Sequence, residues 1–78
     1  MRKLYVWNTP RGPIFIAEHR GRYFVLFDDE NLGGWATAEQ AAIAAAGGEC
    51  DRVGPGIDTA KLGISEDLNE WHRVAEPR

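Results

Sequence analysis

The sequence predicts an α+β domain: an antiparallel sheet of three to five strands, one alanine-rich helix packed on a face, and a loop-rich C-terminal segment with short helical turns. Three observations predict it. Three runs of β-forming residues are separated by turn clusters in the first third of the chain. A run of alanines follows a helix-start signature, and beyond Gly48 turn residues replace regular periodicity.

The elements follow in order. Leu4–Trp7 is four consecutive β-formers, two of them aromatic, and Thr9-Pro10-Arg11-Gly12-Pro13 ends that strand. Ile14–His19 is the second strand. Arg20-Gly21-Arg22 places a glycine where a hairpin turn needs positive φ. Tyr23–Phe27 is the third strand, closed by Asp28-Asp29-Glu30-Asn31, and with loops this short a meander is the simplest connection. Side chains alternate across a strand, so Ile14 and Ile16 oppose Phe15 and Ala17, while Tyr23, Val25 and Phe27 oppose Phe24 and Leu26. Both faces of the sheet are therefore apolar and each requires a cover. The helix is one; the C-terminal segment or another chain is the other.

Leu32–Ala36 leads into the helix. Thr37 and Gln40 have the spacing of a capping box, Ala38–Ala46 is the helix body, and Gly47-Gly48 stops it. Its few polar positions predict cover on more than one side. After it, Glu49–Val53 reads as a short strand, Gly54-Pro55-Gly56 as a turn, and Asp58 as the cap of one helical turn ending at Leu62 and Gly63. Ser65 reads as a second cap with Glu66 and Asp67 in its first turn. Leu68 and Trp71, three apart, face inward together, and Trp71–Val74 is an alternative last strand. Residues 1–78 form one domain, since 78 residues bury a single small core with roughly 4–12 kcal/mol of stability.

Bulk properties exclude several classes. Hydrophobic residues at 44% and charged residues at 27% exclude collagen and disordered acidic tails. One cysteine, Cys50, makes no internal disulfide, which fits a reducing compartment. The apolar run after Met1-Arg2-Lys3 stops at Asn8 and breaks at Pro10, short of a signal peptide, and no run approaches a membrane span. A cytoplasmic location is the expectation. Residues 1–27 carry five basic side chains against one acidic, giving +4, and residues 28–78 carry four against eleven, giving −7, for the net −3. That balance disfavours sequence-independent nucleic-acid binding but leaves a basic first hairpin.

No constellation reads as catalytic. Asp28, Asp29 and Glu30 are consecutive and diverge, whereas magnesium wants carboxylates converging from separate elements. His19, His72 and Cys50 are isolated and match no zinc spacing. The single serine, Ser65, is better explained as a cap than as a nucleophile, and the glycine clusters fit neither a dinucleotide nor a P-loop pattern. No cofactor is expected. Tyr5, Trp7, Phe15 and Tyr23 with Lys3, Arg20 and Arg22 offer a stacking platform for single-stranded nucleic acid, against the alternative of core aromatics and solubilising arginines. Trp7, Trp35 and Trp71 read as packing residues, and an exposed one would be a hot spot for a partner.

Gly12–Ile16, Gly21-Arg22-Tyr23, Phe27–Glu30, Leu32-Gly33, Thr37, Gln40-Ala41-Ala42, Gly56-Ile57-Asp58, Leu62-Gly63-Ile64 and Glu66–Trp71 together resemble a group of uncharacterised bacterial proteins of about eighty residues, over nearly the full chain. The resemblance implies an α+β domain without an assigned activity, and no residue role. Residues 14–46 are also similar to HicB-type antitoxin domains, which neutralise a partner ribonuclease. A Pro-Asp-x-Pro-Gly-like segment is missing after the third strand, no DNA-binding tail is expected beyond the domain, and shared architecture does not carry function.

Two function classes follow. The first is a non-enzymatic protein-interaction module, its partner an unidentified protein or a second copy as a homodimer. The second is a small nucleic-acid-binding or antitoxin-like regulatory domain using the basic first hairpin. The partner-binding candidates are Lys3, Tyr5, Arg20 and Arg22.

Overall fold

The computed structural model describes residues 2–27, 30–47 and 62–74. Its elements are β1 (Arg2–Thr9), β2 (Gly12–His19), β3 (Arg22–Phe27), β4 (Glu30–Trp35), α1 (Ala38–Gly47), a 3-10 turn (Leu68–Glu70) and β5 (His72–Arg73). They form one five-stranded antiparallel sheet in the order β4-β3-β2-β1-β5, with α1 against it. This is the α+β architecture the sequence predicts. The expected strand at Glu49–Val53, the turn at Gly54–Gly56, the Asp58 cap and Cys50 lie outside the described residues.

Local chemistry sets the hairpins. Between β2 and β3, Arg20 (φ 53°) and Gly21 (φ 78°) are both left-handed, as a two-residue primed turn requires. Between β1 and β2, Pro10 presets the turn, the Thr9 hydroxyl donates to the Gly12 carbonyl (2.6 Å), and the Arg11 amide donates to Thr9 Oγ1 (3.1 Å).

The core lies between α1 and one face of the sheet. Ile14, Ile16 and Val25 are fully buried there with Phe27, Leu32, Ile64 and Trp71. Ala38, Ala41, Ala42 and Ala45 of α1 complete it, their methyl groups allowing the helix to lie close on the strands. The Gln40 amide donates to Thr37 Oγ1 (3.1 Å), the first half of the expected capping box. Ala44 is buried as well, while the outer side of α1 is open: Glu39 and Gln40 are exposed, and Ile43 is 50% exposed.

Strand β4 was not expected. Its Gly33-Gly34 pair reads as a turn, yet each glycine lies beneath an aromatic ring. A Cβ on Gly33 would stand 2.8 Å from Trp35 Cη2, and one on Gly34 would stand 2.6 Å from Phe24 Cε1. The rings supply the cover that glycine lacks in a strand. Gly33 sits at φ +136° where the β3–β4 register shifts, a bulge that turns Leu32 into the core. Gly33→Ala is expected to cost about 1–3 kcal/mol, because alanine does not adopt that φ without strain. Gly34→Ala should cost less, since the Phe24 ring can swing away. Urea denaturation of both variants checks this; a Gly33→Ala protein of unchanged midpoint would refute it.

Residues 62–74 of the C-terminal segment pack on the helix side through Leu62, Ile64, Leu68 and Trp71. The cap of the 3-10 turn is Asp67, whose carboxylate accepts from the Asn69 amide (2.9 Å). Ser65, expected as the cap, instead bonds Glu70 through its hydroxyl and accepts from the Asp67 amide (3.1 Å). Leu68 and Trp71 face the core as predicted. Trp71 then leads into β5, and the Val74 amide donates to the Leu4 carbonyl (2.9 Å).

Candidate functional site

With α1, Ile64, Leu68 and Trp71 gathered on one side, the opposite face of the sheet carries nothing from the described elements. Register defines that face in cross-strand rows. One row is His72, Val6, Phe15, Leu26 and Asn31; the next is Lys3, Ala17, Phe24 and Gly34; a third pairs His19 with Arg22, and a fourth Asn8 with Pro13. Directly opposed residues on antiparallel strands share a face, so these side chains form one surface. Its apolar part is Val6, Phe15, Phe24 and Leu26, all half-buried, around a fully buried Ala17.

Cations border the apolar patch. Lys3 Nζ lies 4.4 Å from the centroid of the Phe15 ring, a cation–π contact. The Arg22 guanidinium donates to the Gly34 carbonyl (3.3 Å), which holds it over the β3–β4 edge of the face. His19 and His72 are exposed at opposite margins. Among the described residues of this face there is no carboxylate. Glu18 and Glu30 are placed by register on the helix side, and Glu39 is on α1 itself. Among the described residues, the sheet thus separates an apolar face whose formal charges are both basic from a helix side that carries Glu18, Glu30 and Glu39 together with Arg2 and Arg73.

The predicted binding residues are split by this arrangement. Lys3 and Arg22 share the open face, and Arg20 stands exposed in the hairpin turn between β2 and β3. Tyr5 lies on the other side, opposite Ile16, with the Arg73 guanidinium 5.7 Å from its ring centroid. The cause is the register shift between Lys3 and Tyr5, which adds a residue at Leu4 and reverses the alternation. Trp7 and Tyr23 also lie on the helix side against the core, so of the four aromatics in the suggested platform only Phe15 accompanies Lys3 and Arg22. Phe24 and Leu26 were legible as a second apolar face, but not as neighbours of these cations. The three tryptophans pack: Trp71 is in the core, Trp7 meets it at 5.9 Å between ring centroids, and Trp35 is partly buried.

A cleft of about 230 Å³ opens on the helix side between Tyr5, Glu39, Leu68, Asn69, Trp71 and Arg73. Its charged groups are one acid and one base from separate elements. Among the described residues no three His, Cys, Asp or Glu side chains gather to hold a metal ion, and no described helix is long and apolar enough to cross a membrane. Asp28 and Asp29 lie outside the described residues, and Glu30 is exposed.

No protein-family model, no curated protein and no solved structure matches this chain.

Proposed function

We propose that the chain is a non-enzymatic protein-interaction module that docks its partner on the sheet face opposite α1. One observation carries the reading: Val6, Phe15, Phe24 and Leu26, from three adjacent strands, form a contiguous half-buried apolar surface that no described element covers. Single exposed hydrophobes are ordinary on a soluble protein; a connected aromatic and aliphatic patch on the flat of a sheet is a feature of interaction sites. The bordering cations also favour a second reading, a single nucleic-acid strand stacked on Phe15 and Phe24. That reading is the weaker one. Among the described residues the face carries two formal cations, in a chain of net charge −3, whereas strand binding draws its strength from many phosphate contacts.

The test is capture from lysate of the native host by three immobilised forms: the unaltered chain, Leu26→Glu and Ile43→Glu. Leu26 is on the open face and Ile43 on the exposed side of α1. A stoichiometric protein held by the unaltered chain and by Ile43→Glu, but lost with Leu26→Glu, is the expected result. Capture indifferent to Leu26→Glu would overturn the face, and capture abolished by nuclease would favour the nucleic-acid reading. A monomeric chain that captures nothing would overturn the module.

A further inference from the structure

Resting on that docking reading, we infer that the occupant of the open face is an acidic, apolar-interspersed polypeptide segment, whose carboxylates meet Lys3 and Arg22 while its apolar side chains cover Phe15, Phe24 and Leu26. Charge complementarity selects it. A face whose described formal charges are all positive, with Glu18, Glu30 and Glu39 on the other side of the sheet, repels basic segments and attracts acidic ones over roughly a Debye length of 8–10 Å. Lys3 and Arg22 lie beside the patch rather than remote from it: Lys3 stands directly over Phe15, and Arg22 and Phe24, two residues apart on β3, share the face. Carboxylates two residues apart on an extended segment share one side, a spacing that suits cations set around a flat apolar centre. The Arg22 fork keeps donors for a carboxylate beyond the bond to Gly34.

The same separation of charge decides among other occupants. Stacking two copies with their open faces together brings two sets of cations into one interface with no described carboxylate of that face to offset them. A nucleic-acid strand would find two phosphate partners among the described residues of the face. An acidic segment satisfies both the cations and the apolar patch.

The test is selection of a random-peptide display library on the intact immobilised chain, on Leu26→Glu and on the double variant Lys3→Glu/Arg22→Glu, with deoxythymidine oligonucleotide binding and a mass measurement of the free chain and of Leu26→Glu run alongside. Lys3 and Arg22 are both exposed, so the reversal should leave the fold intact, and circular dichroism verifies that. The unaltered chain should enrich peptides rich in Asp and Glu interspersed with apolar residues, and the reversed chain should enrich Lys- and Arg-rich ones. Each single reversal should weaken a selected acidic peptide by about two- to fivefold, the range of exposed ion pairs. Enrichment of apolar peptides without charge bias would overturn the acidic preference while leaving the docking face standing. Tight oligonucleotide binding, or a dimer whose formation Leu26→Glu abolishes, would overturn it in favour of that occupant. No enrichment that depends on Leu26 would remove both the inference and the docking reading beneath it.

Discussion

Trp71→Ala is expected to lower stability by about 3–5 kcal/mol, the range for deleting a large buried aromatic. A chain of 78 residues has roughly 4–12 kcal/mol in total, so the variant stands near its unfolding threshold at room temperature. The size follows from how much one side chain joins. Trp71 is 4% exposed within the core, packs on Trp7, and donates its indole N–H to the Ser65 carbonyl (2.8 Å). It also directs the chain into β5, whose pairing with Tyr5 and Val6 is only two residues long. Such a strand has little stability of its own and depends on this anchor. Trp71→Phe keeps most of the apolar area and loses the indole bond, so it should cost nearer 1 kcal/mol. Urea denaturation followed by circular dichroism separates the two. Amide exchange at Val74, which donates to Leu4, should accelerate in Trp71→Ala before global unfolding. Equal midpoints for Trp71→Ala and the unaltered chain would mean that the C-terminal segment is not anchored through this ring.

Local signals carried the sequence reading far for β2, β3 and α1, because each is bounded by chemistry readable in a few residues: Arg20-Gly21 for the turn, Thr37 and Gln40 for the helix start. Leu68 and Trp71 were legible from spacing alone. Strand β4 was hidden because what makes Gly33-Gly34 acceptable in a strand is the ring of Phe24, ten residues away in the chain, together with Trp35. The cap at Asp67 was missed for a different reason. Ser65 and Asp67 both offer a suitable oxygen, and their spacing does not say which one the turn will use. The candidate surface was half legible. Two apolar faces follow from alternation, but placing Tyr5 with Lys3 assumes an unbroken period of two, and the extra residue at Leu4 breaks it. A bulge at Leu4, between Lys3 and Tyr5, leaves no mark such as a glycine in the residue types of β1. Consequently the cations could be listed from sequence, whereas of the aromatics beside them only Phe15 was, and Phe24 was not.

Phe15 and Ile16 are neighbours in β2 that face opposite sides of one sheet, and their replacement by alanine should give opposite results. Ile16 is fully buried between the sheet and α1. Its loss leaves a closed cavity that close-packed neighbours fill only in part, so Ile16→Ala should cost about 2–5 kcal/mol. Phe15 is half-buried on the open face, beneath Lys3 and between Val6 and Leu26. Truncating it exposes neighbours to water but encloses no void, so Phe15→Ala should cost about 1–2 kcal/mol of area and cation–π contact. Binding should respond in the reverse sense. A partner on the open face loses its central aromatic contact in Phe15→Ala, whereas the folded fraction of Ile16→Ala still presents the same surface. Denaturation midpoints and peptide affinity measured on both proteins place each residue on two independent axes. If Phe15→Ala proves as destabilising as Ile16→Ala, then its face is already covered within the chain and has no room for a partner. If Phe15→Ala is mild in stability and severe in binding, stability and recognition are carried by opposite sides of the same strand, which is how a domain this small can keep one face for itself and offer the other.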